Sequence, residues 1–78
     1  MRVKIEKIRS GSHPSEVLVS VHTVNGDEHL VVHERSVADG MLEIGYPINS
    51  RGSEHLVELP RETVNGAWRV WVPSNSVL

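Results

Sequence analysis

The chain has 78 residues, no cysteine and a formal net charge of −2, with 8 Lys and Arg against 10 Asp and Glu. This length predicts one domain over residues 1–78, and the lack of cysteine excludes disulfides, thiolate metal sites and cysteine nucleophiles. The charge balance disfavours nucleic-acid binding, which usually needs a clustered basic excess, and no apolar run is long enough to span a membrane. The N-terminus has no signal-peptide pattern, so we expect a cytoplasmic protein.

The first predicted element is a strand over residues 2–8, where Val3 and Ile5 alternate with charged residues. We interpret its charged side chains as protection of a sheet edge. The alternative is a weak site for an anionic partner, because four basic residues cluster there: Arg2, Lys4, Lys7 and Arg9. A turn-rich loop follows over residues 10–15.

The next element is a hairpin centred on Thr23-Val24-Asn25-Gly26. Asn-Gly between alternating apolar residues is typical of a type I′ turn, and we therefore predict that residue 24 pairs with residue 27. In this register Val21 lies opposite Leu30 on the apolar face. On the reverse face His22 lies opposite His29.

The middle of the chain predicts short elements. Residues 36–39 allow at most one helical turn before Gly40. Residues 42–48 alternate again, and Pro47 marks this segment as an edge strand. A turn over residues 49–52 then leads into the second hairpin.

The second hairpin is centred on Thr63-Val64-Asn65-Gly66 and is predicted to pair residue 64 with residue 67. This register places Trp68 with the core and Trp71 on the reverse face beside Pro60. On that reverse face Glu62 is expected opposite Arg69.

The two hairpins form an internal repeat. Residues 15–19 (SEVLV) resemble residues 53–57 (SEHLV) at an offset of 38, whereas TVNG recurs at an offset of 40. A two-residue insertion around Pro60 reconciles the two offsets. The recurrence of TVNG taken alone is explained equally well by the few residues that turn geometry permits.

These elements predict an all-β domain of about six mostly antiparallel strands, built on two Asn-Gly hairpins as a small barrel or a sandwich. The expected core is aliphatic and β-branched, and Trp68 closes one end of it. Its other members are Val3, Ile5, Val17, Val19, Val21, Leu30, Val32, Leu42, Ile44, Leu59, Val70 and Val72.

The C-terminal segment over residues 72–77 (VPSNSV) resembles the closing Pro-Ser-Asn-Tyr-Val stretch of SH3 domains. Ser76 stands where that family has its ligand-contacting Tyr, and the opening aromatic motif of the family is absent. The resemblance implies that an SH3-like barrel is one admissible topology. It does not carry the function of the family.

Catalytic motifs are absent: the chain has no GxSxG elbow, no glycine-rich phosphate loop and no HExxH. We therefore predict a non-enzymatic domain that needs no cofactor. The sharpest polar constellation is the expected pair of His22 and His29, whose imidazoles would be close enough to share a metal ion or to repel each other when both are protonated. A metal- or pH-sensing domain is thus the alternative function.

The leading hypothesis is a protein-interaction or self-association module. It is based on Trp71, which is expected on the reverse face beside Pro60 and near Arg69. Exposed Trp and Arg side chains are typical of interface hot spots. The partner is expected to be another protein or a second copy in a homodimer. The alternative is that Trp71 is covered and belongs to the core.

Overall fold

The computed structural model describes all residues 1–78 and confirms the all-β class, with eight strands, two short 3₁₀ turns and no α-helix. The strands are β1 Arg2–Ser10, β2 Glu16–Thr23, β3 Gly26–His33, β4 Val37–Ala38, β5 Met41–Glu43, β6 Asn49–Arg51, β7 Glu54–Glu58 and β8 Arg69–Pro73. No helix is long and apolar enough to cross a lipid bilayer.

The strands form two sheets whose neighbours are all antiparallel. One sheet has the order β3-β2-β1-β5-β4 and the other has the order β6-β7-β8. They do not close into one barrel. Residues from both sheets form a single hydrophobic cluster, so the chain has one core.

All twelve aliphatic residues that were predicted to form the core are buried. Val57 and Met41 are buried as well, although neither was predicted to be a core residue. The prediction for Trp68 was wrong, because this side chain is 48% exposed. The core is therefore aliphatic throughout, with no aromatic member.

The predicted register of the first hairpin was wrong by two residues. Thr23 pairs with Gly26 and Val19 pairs with Leu30, so the central turn residues are Val24 and Asn25. The reason is the side chain of Thr23, whose hydroxyl accepts from the Asn25 N–H (3.1 Å) and donates to the Gly26 carbonyl (2.6 Å). Only Gly26 has a positive φ in this turn, whereas a type I′ turn needs two such residues.

The second hairpin also differs from its predicted register. Trp71 pairs with Leu56, Val72 pairs with His55, and Arg69 pairs with Glu58. The strands separate beyond the bond from the Leu59 N–H to the Trp68 carbonyl, which is 2.6 Å long. The predicted contacts of Trp71 with Pro60 and of Arg69 with Glu62 were therefore wrong.

The internal repeat is confirmed by the pairing. Val17 pairs with Val32 in the first hairpin and His55 pairs with Val72 in the second, so β7 follows β2 by 38 residues and β8 follows β3 by 40. By the same registers β6 corresponds to the end of β1, since Arg9 pairs with Leu18 and Asn49 pairs with Leu56. The extra two residues of the second unit lie between Leu59 and Thr63, at the predicted position around Pro60. We call residues 1–40 the first unit and residues 41–78 the second unit.

The two units contact each other in a nearly reciprocal way. The Val24 N–H donates to the Trp71 carbonyl (3.0 Å), and the Val64 N–H donates to the His29 carbonyl (2.7 Å). Each hairpin turn thus covers an edge strand of the other unit. At the other end of the molecule β1 and β5 pair antiparallel, with Val3 opposite Leu42.

The units differ in the segment that precedes their hairpins. In the first unit β1 runs over residues 2–10 without interruption, apart from a bulge between Lys7 and Arg9. In the second unit the corresponding stretch is broken between β5 and β6, and Tyr46 in this break is 86% exposed. The predicted edge strand over residues 42–48 is therefore only partly formed.

The predicted helical turn also lies elsewhere. A 3₁₀ turn spans Glu34–Ser36, and Val37–Ala38 behind it forms a strand. The imidazole of His33 caps this turn, because its Nδ1 accepts from the Arg35 N–H at 3.2 Å. A second 3₁₀ turn, Ser74–Ser76, occupies the equivalent position in the second unit.

Candidate interaction site

Trp71 lies on the outer face of the second sheet and is half-buried. Its cross-strand neighbour is Leu56, and the guanidinium carbon of Arg51 lies 4.0 Å from the ring centroid. A guanidinium over an indole face is a favourable cation–π contact. The ring is thus partly covered from within the chain.

Arg69 is exposed on the same outer face. Its Nε donates to Glu58 Oε2 at 3.1 Å, and both side chains are more than half exposed. Such a solvent-exposed ion pair contributes little to stability. Arg69 can therefore release Glu58 and bind another carboxylate.

Trp68 is the more exposed of the two Trp side chains. Trp68 lies two residues before the buried Val70, so its side chain would point into the core if β8 extended that far. The strand β8 begins only after Trp68. The chain that follows β7 no longer pairs with the chain before β8 at Pro60, so no strand covers the indole there. The extra residues of the second unit explain this exposure.

An open cleft surrounds this Trp side chain. Two of the three residues that were predicted to bind a partner, Pro60 and Arg69, line it, whereas Trp71 does not. Its complete lining is Glu58, Leu59, Pro60, Arg61, Glu62, Trp68 and Arg69. The structure thus joins the predicted Pro and Arg to the other Trp.

The charges around the cleft are balanced, with two Arg and two Glu side chains. Arg61 also reaches across to the first unit, where its Nη1 donates to Glu16 Oε2 at 3.2 Å. This contact holds the loop that carries Pro60 against β2. A balanced rim favours a partner with a mixed polar surface over a polyanion.

The predicted opposition of His22 and His29 was wrong. His22 pairs with Asp27, and its Nδ1 lies 2.9 Å from Asp27 Oδ1 in an exposed contact. His29 lies opposite Ser20, which makes it a diagonal neighbour of His22. No group of three His, Asp or Glu side chains is arranged to hold a metal ion.

Two side-chain contacts were missed at the sequence level. Ser50 Oγ and His55 Nδ1 lie 2.8 Å apart across β6 and β7. Glu28 on β3 accepts from the hydroxyl of Thr63 at 2.6 Å. Both depend on the register or on packing between the units, which no local motif reveals.

The site rests on this geometry alone. Comparison with protein-family models, with curated proteins and with solved structures gives no match.

Proposed function

We propose that this domain is a non-catalytic protein-interaction module that binds its partner through the cleft around Trp68. The observation that carries the proposal is the 48% exposure of this indole beside Pro60 and Arg69. A Trp side chain offers about 150–250 Å² of largely apolar area, which is costly to leave in water. A partner that covers the indole buries the part of this area that is still exposed.

The surroundings of the indole support the same function. Interface hot spots are enriched in Trp and Arg and are surrounded by polar residues that exclude water once the partner is bound. Here the apolar centre is Trp68 with Pro60, and the polar rim contains Arg61, Glu62 and Arg69. The partner is a protein or a second copy of the chain.

Trp71 is the less favoured contact residue. Its ring is half-buried and stacks with Arg51, so a partner would gain less area from it. A comparison of Trp68→Ala with Trp71→Ala therefore tests which of the two faces binds.

We expect Trp68→Ala to abolish most binding while it lowers the free energy of unfolding by less than about 1.5 kcal/mol, because the side chain is half-exposed and lies outside the core cluster. Peptides that are selected by phage display against the wild-type domain provide the partner, and sedimentation velocity over a concentration series reports self-association. Both are then repeated with the variant. Urea unfolding gives the stability.

Val64→Ala is the matched control, because Val64 is an apolar side chain in the nearby turn and is 76% exposed. It should bind the selected peptides like the wild type. Peptides that bind Trp68→Ala as tightly as the wild type but fail to bind Trp71→Ala would transfer the site to the outer face of the second sheet.

A further inference from the structure

The strand β7 has a neighbour on both sides along only part of its length. On one side it pairs with β6 as far as Leu56, whose partner is Asn49 and whose carbonyl also accepts from the Ile48 N–H at 2.8 Å. Beyond this point no strand lies beside Glu58 on that side. On the other side β8 continues to pair, since Glu58 lies opposite Arg69.

The backbone of Glu58 faces this open side. The Leu59 N–H donates to the Trp68 carbonyl, so the polar groups of Leu59 point toward the chain that leads into β8. Polar groups of successive residues in a strand point to opposite edges. The N–H and carbonyl of Glu58 therefore point away from β8, into the gap beyond the end of β6.

In the first unit the corresponding edge is filled. Ser20 corresponds to Glu58, and Glu6 of β1 pairs with it. The Ile5 N–H donates to Gly40 on the other side of β1, so the polar groups of Glu6 point toward Ser20. The first unit thus shows which kind of segment completes this edge.

In the second unit the residues that would fill the edge are those of the broken segment over residues 44–48. Gly45 corresponds to Ile5, and a Cβ built on Gly45 meets no atom within 4 Å. Gly45 therefore supplies no counterpart to the Ile5 side chain, which lies opposite Val21 in the first unit, although Leu59 itself is buried in the core. The gap adjoins the Trp68 cleft, which Glu58 and Leu59 also line.

We propose that an extended segment of a partner protein adds as a strand to this open edge of β7, with its backbone bonded to Glu58. This inference rests on the proposed function and specifies how the partner binds. The segment follows the pattern of residues 5–7 (IEK) with the acidic residue replaced: an aliphatic residue packs at the cleft beside Trp68, and the next residue is neutral or basic, is not proline and exchanges hydrogen bonds with Glu58. Addition of a strand to an exposed edge is a common mode of peptide recognition.

The occupant is a different protein because a second copy fits the edge poorly. Two β7 edges that paired antiparallel around Glu58 would bring two Glu58 carboxylates together, and like charges opposite each other destabilise a sheet. A segment with a neutral or basic residue at that position has no such cost.

The probe is a synthetic peptide with the sequence of residues 1–10 in which Gln replaces Glu6 (MRVKIQKIRS), so that no carboxylate lies opposite Glu58. It is titrated into ¹⁵N-labelled full-length domain and followed by amide chemical shifts. We expect saturable shifts at Glu58, Leu59 and Trp68. A peptide that is N-methylated at the Gln in the position of Glu6 should bind at least about tenfold more weakly, because it lacks the donor and carries a bulky group at the edge.

Two variants at one position separate the backbone from the side chain. Glu58→Pro removes an N–H that β8 does not use, together with the carboxylate, and fixes φ at this edge position. It should bind the peptide at least about tenfold more weakly than Glu58→Ala while the spectrum of the fold is retained. Glu58→Ala removes the same carboxylate but keeps the N–H, so the difference in peptide affinity between the two variants reports the backbone contribution.

Equal binding by Glu58→Pro and Glu58→Ala would overturn strand addition, and peptide-induced shifts at Ser20 in place of Glu58 would do the same, because they indicate exchange with β1. Concentration-dependent shifts at Glu58 without peptide would overturn it in favour of a second copy.

Binding that is sensitive to Trp68→Ala but not to Glu58→Pro would retain the proposed function and reject the strand. Binding that is sensitive to Glu58→Pro but not to Trp68→Ala would retain the strand and reject the Trp68 site.

Discussion

Leu42→Ala is expected to lower the free energy of unfolding by about 2–5 kcal/mol, the usual cost of removing a fully buried Leu side chain. Leu42 has no exposed surface and lies opposite Val3, where β5 of the second unit pairs with β1 of the first. A domain of 78 residues has a total stability of only about 4–12 kcal/mol. The substitution should therefore shift the urea midpoint strongly, as measured by far-ultraviolet circular dichroism.

Ile48→Ala is the matched control, because Ile48 is an aliphatic side chain of the same unit that is 47% exposed. It should change the free energy of unfolding by no more than about 0.5 kcal/mol. Equal midpoint shifts for the two variants would show that burial of the Leu42 side chain between the units does not stabilise the fold.

The faces of the strands were predictable, whereas their partners were not. Val19 and Leu30 were both assigned to the core from period-2 alternation, and both are buried, yet they were not predicted to face each other. A register error of two residues preserves the face of every side chain, whereas an error of one residue reverses it. Burial therefore constrains the face of a strand but leaves this error undetected.

The turn type was missed because its cause is a side chain outside the Asn-Gly pair. The Thr23 hydroxyl bonds to the Asn25 N–H within the turn and to the Gly26 carbonyl at its end, and it favours Val24 and Asn25 as the central residues. Asn-Gly is the most typical sequence of a type I′ turn. The competing effect of Thr23 depends on the position of its hydroxyl in the folded turn, which the sequence pattern does not show. The predicted His pair depended on that turn type and was wrong for the same reason.

The prediction for Trp68 failed for a related reason. The alternation along the strand places the Trp68 side chain on the core face, but Trp68 lies before the first residue of β8, where the sheet has ended. The two-residue insertion around Pro60 was visible in the offsets of the repeat. The effect of this insertion on Trp68 was not visible, because the point where the pairing of β7 with β8 ends depends on both strands.

Loss of the contact between Glu28 and Thr63 is expected to cost about 1–3 kcal/mol, the range for a buried hydroxyl that loses a charged partner. The Thr63 hydroxyl is largely buried and donates to Glu28 Oε1 at 2.6 Å, and this contact lies beside the bond between the Val64 N–H and the His29 carbonyl. Urea unfolding of Glu28→Ala, Thr63→Val and the double variant should give a coupling energy of at least about 1 kcal/mol. Glu43→Ala, an exposed carboxylate on β5, is the control and should change stability by no more than about 0.5 kcal/mol. Additive effects of the two substitutions would mean that the contact between Thr63 and Glu28 does not help to hold the second turn on β3.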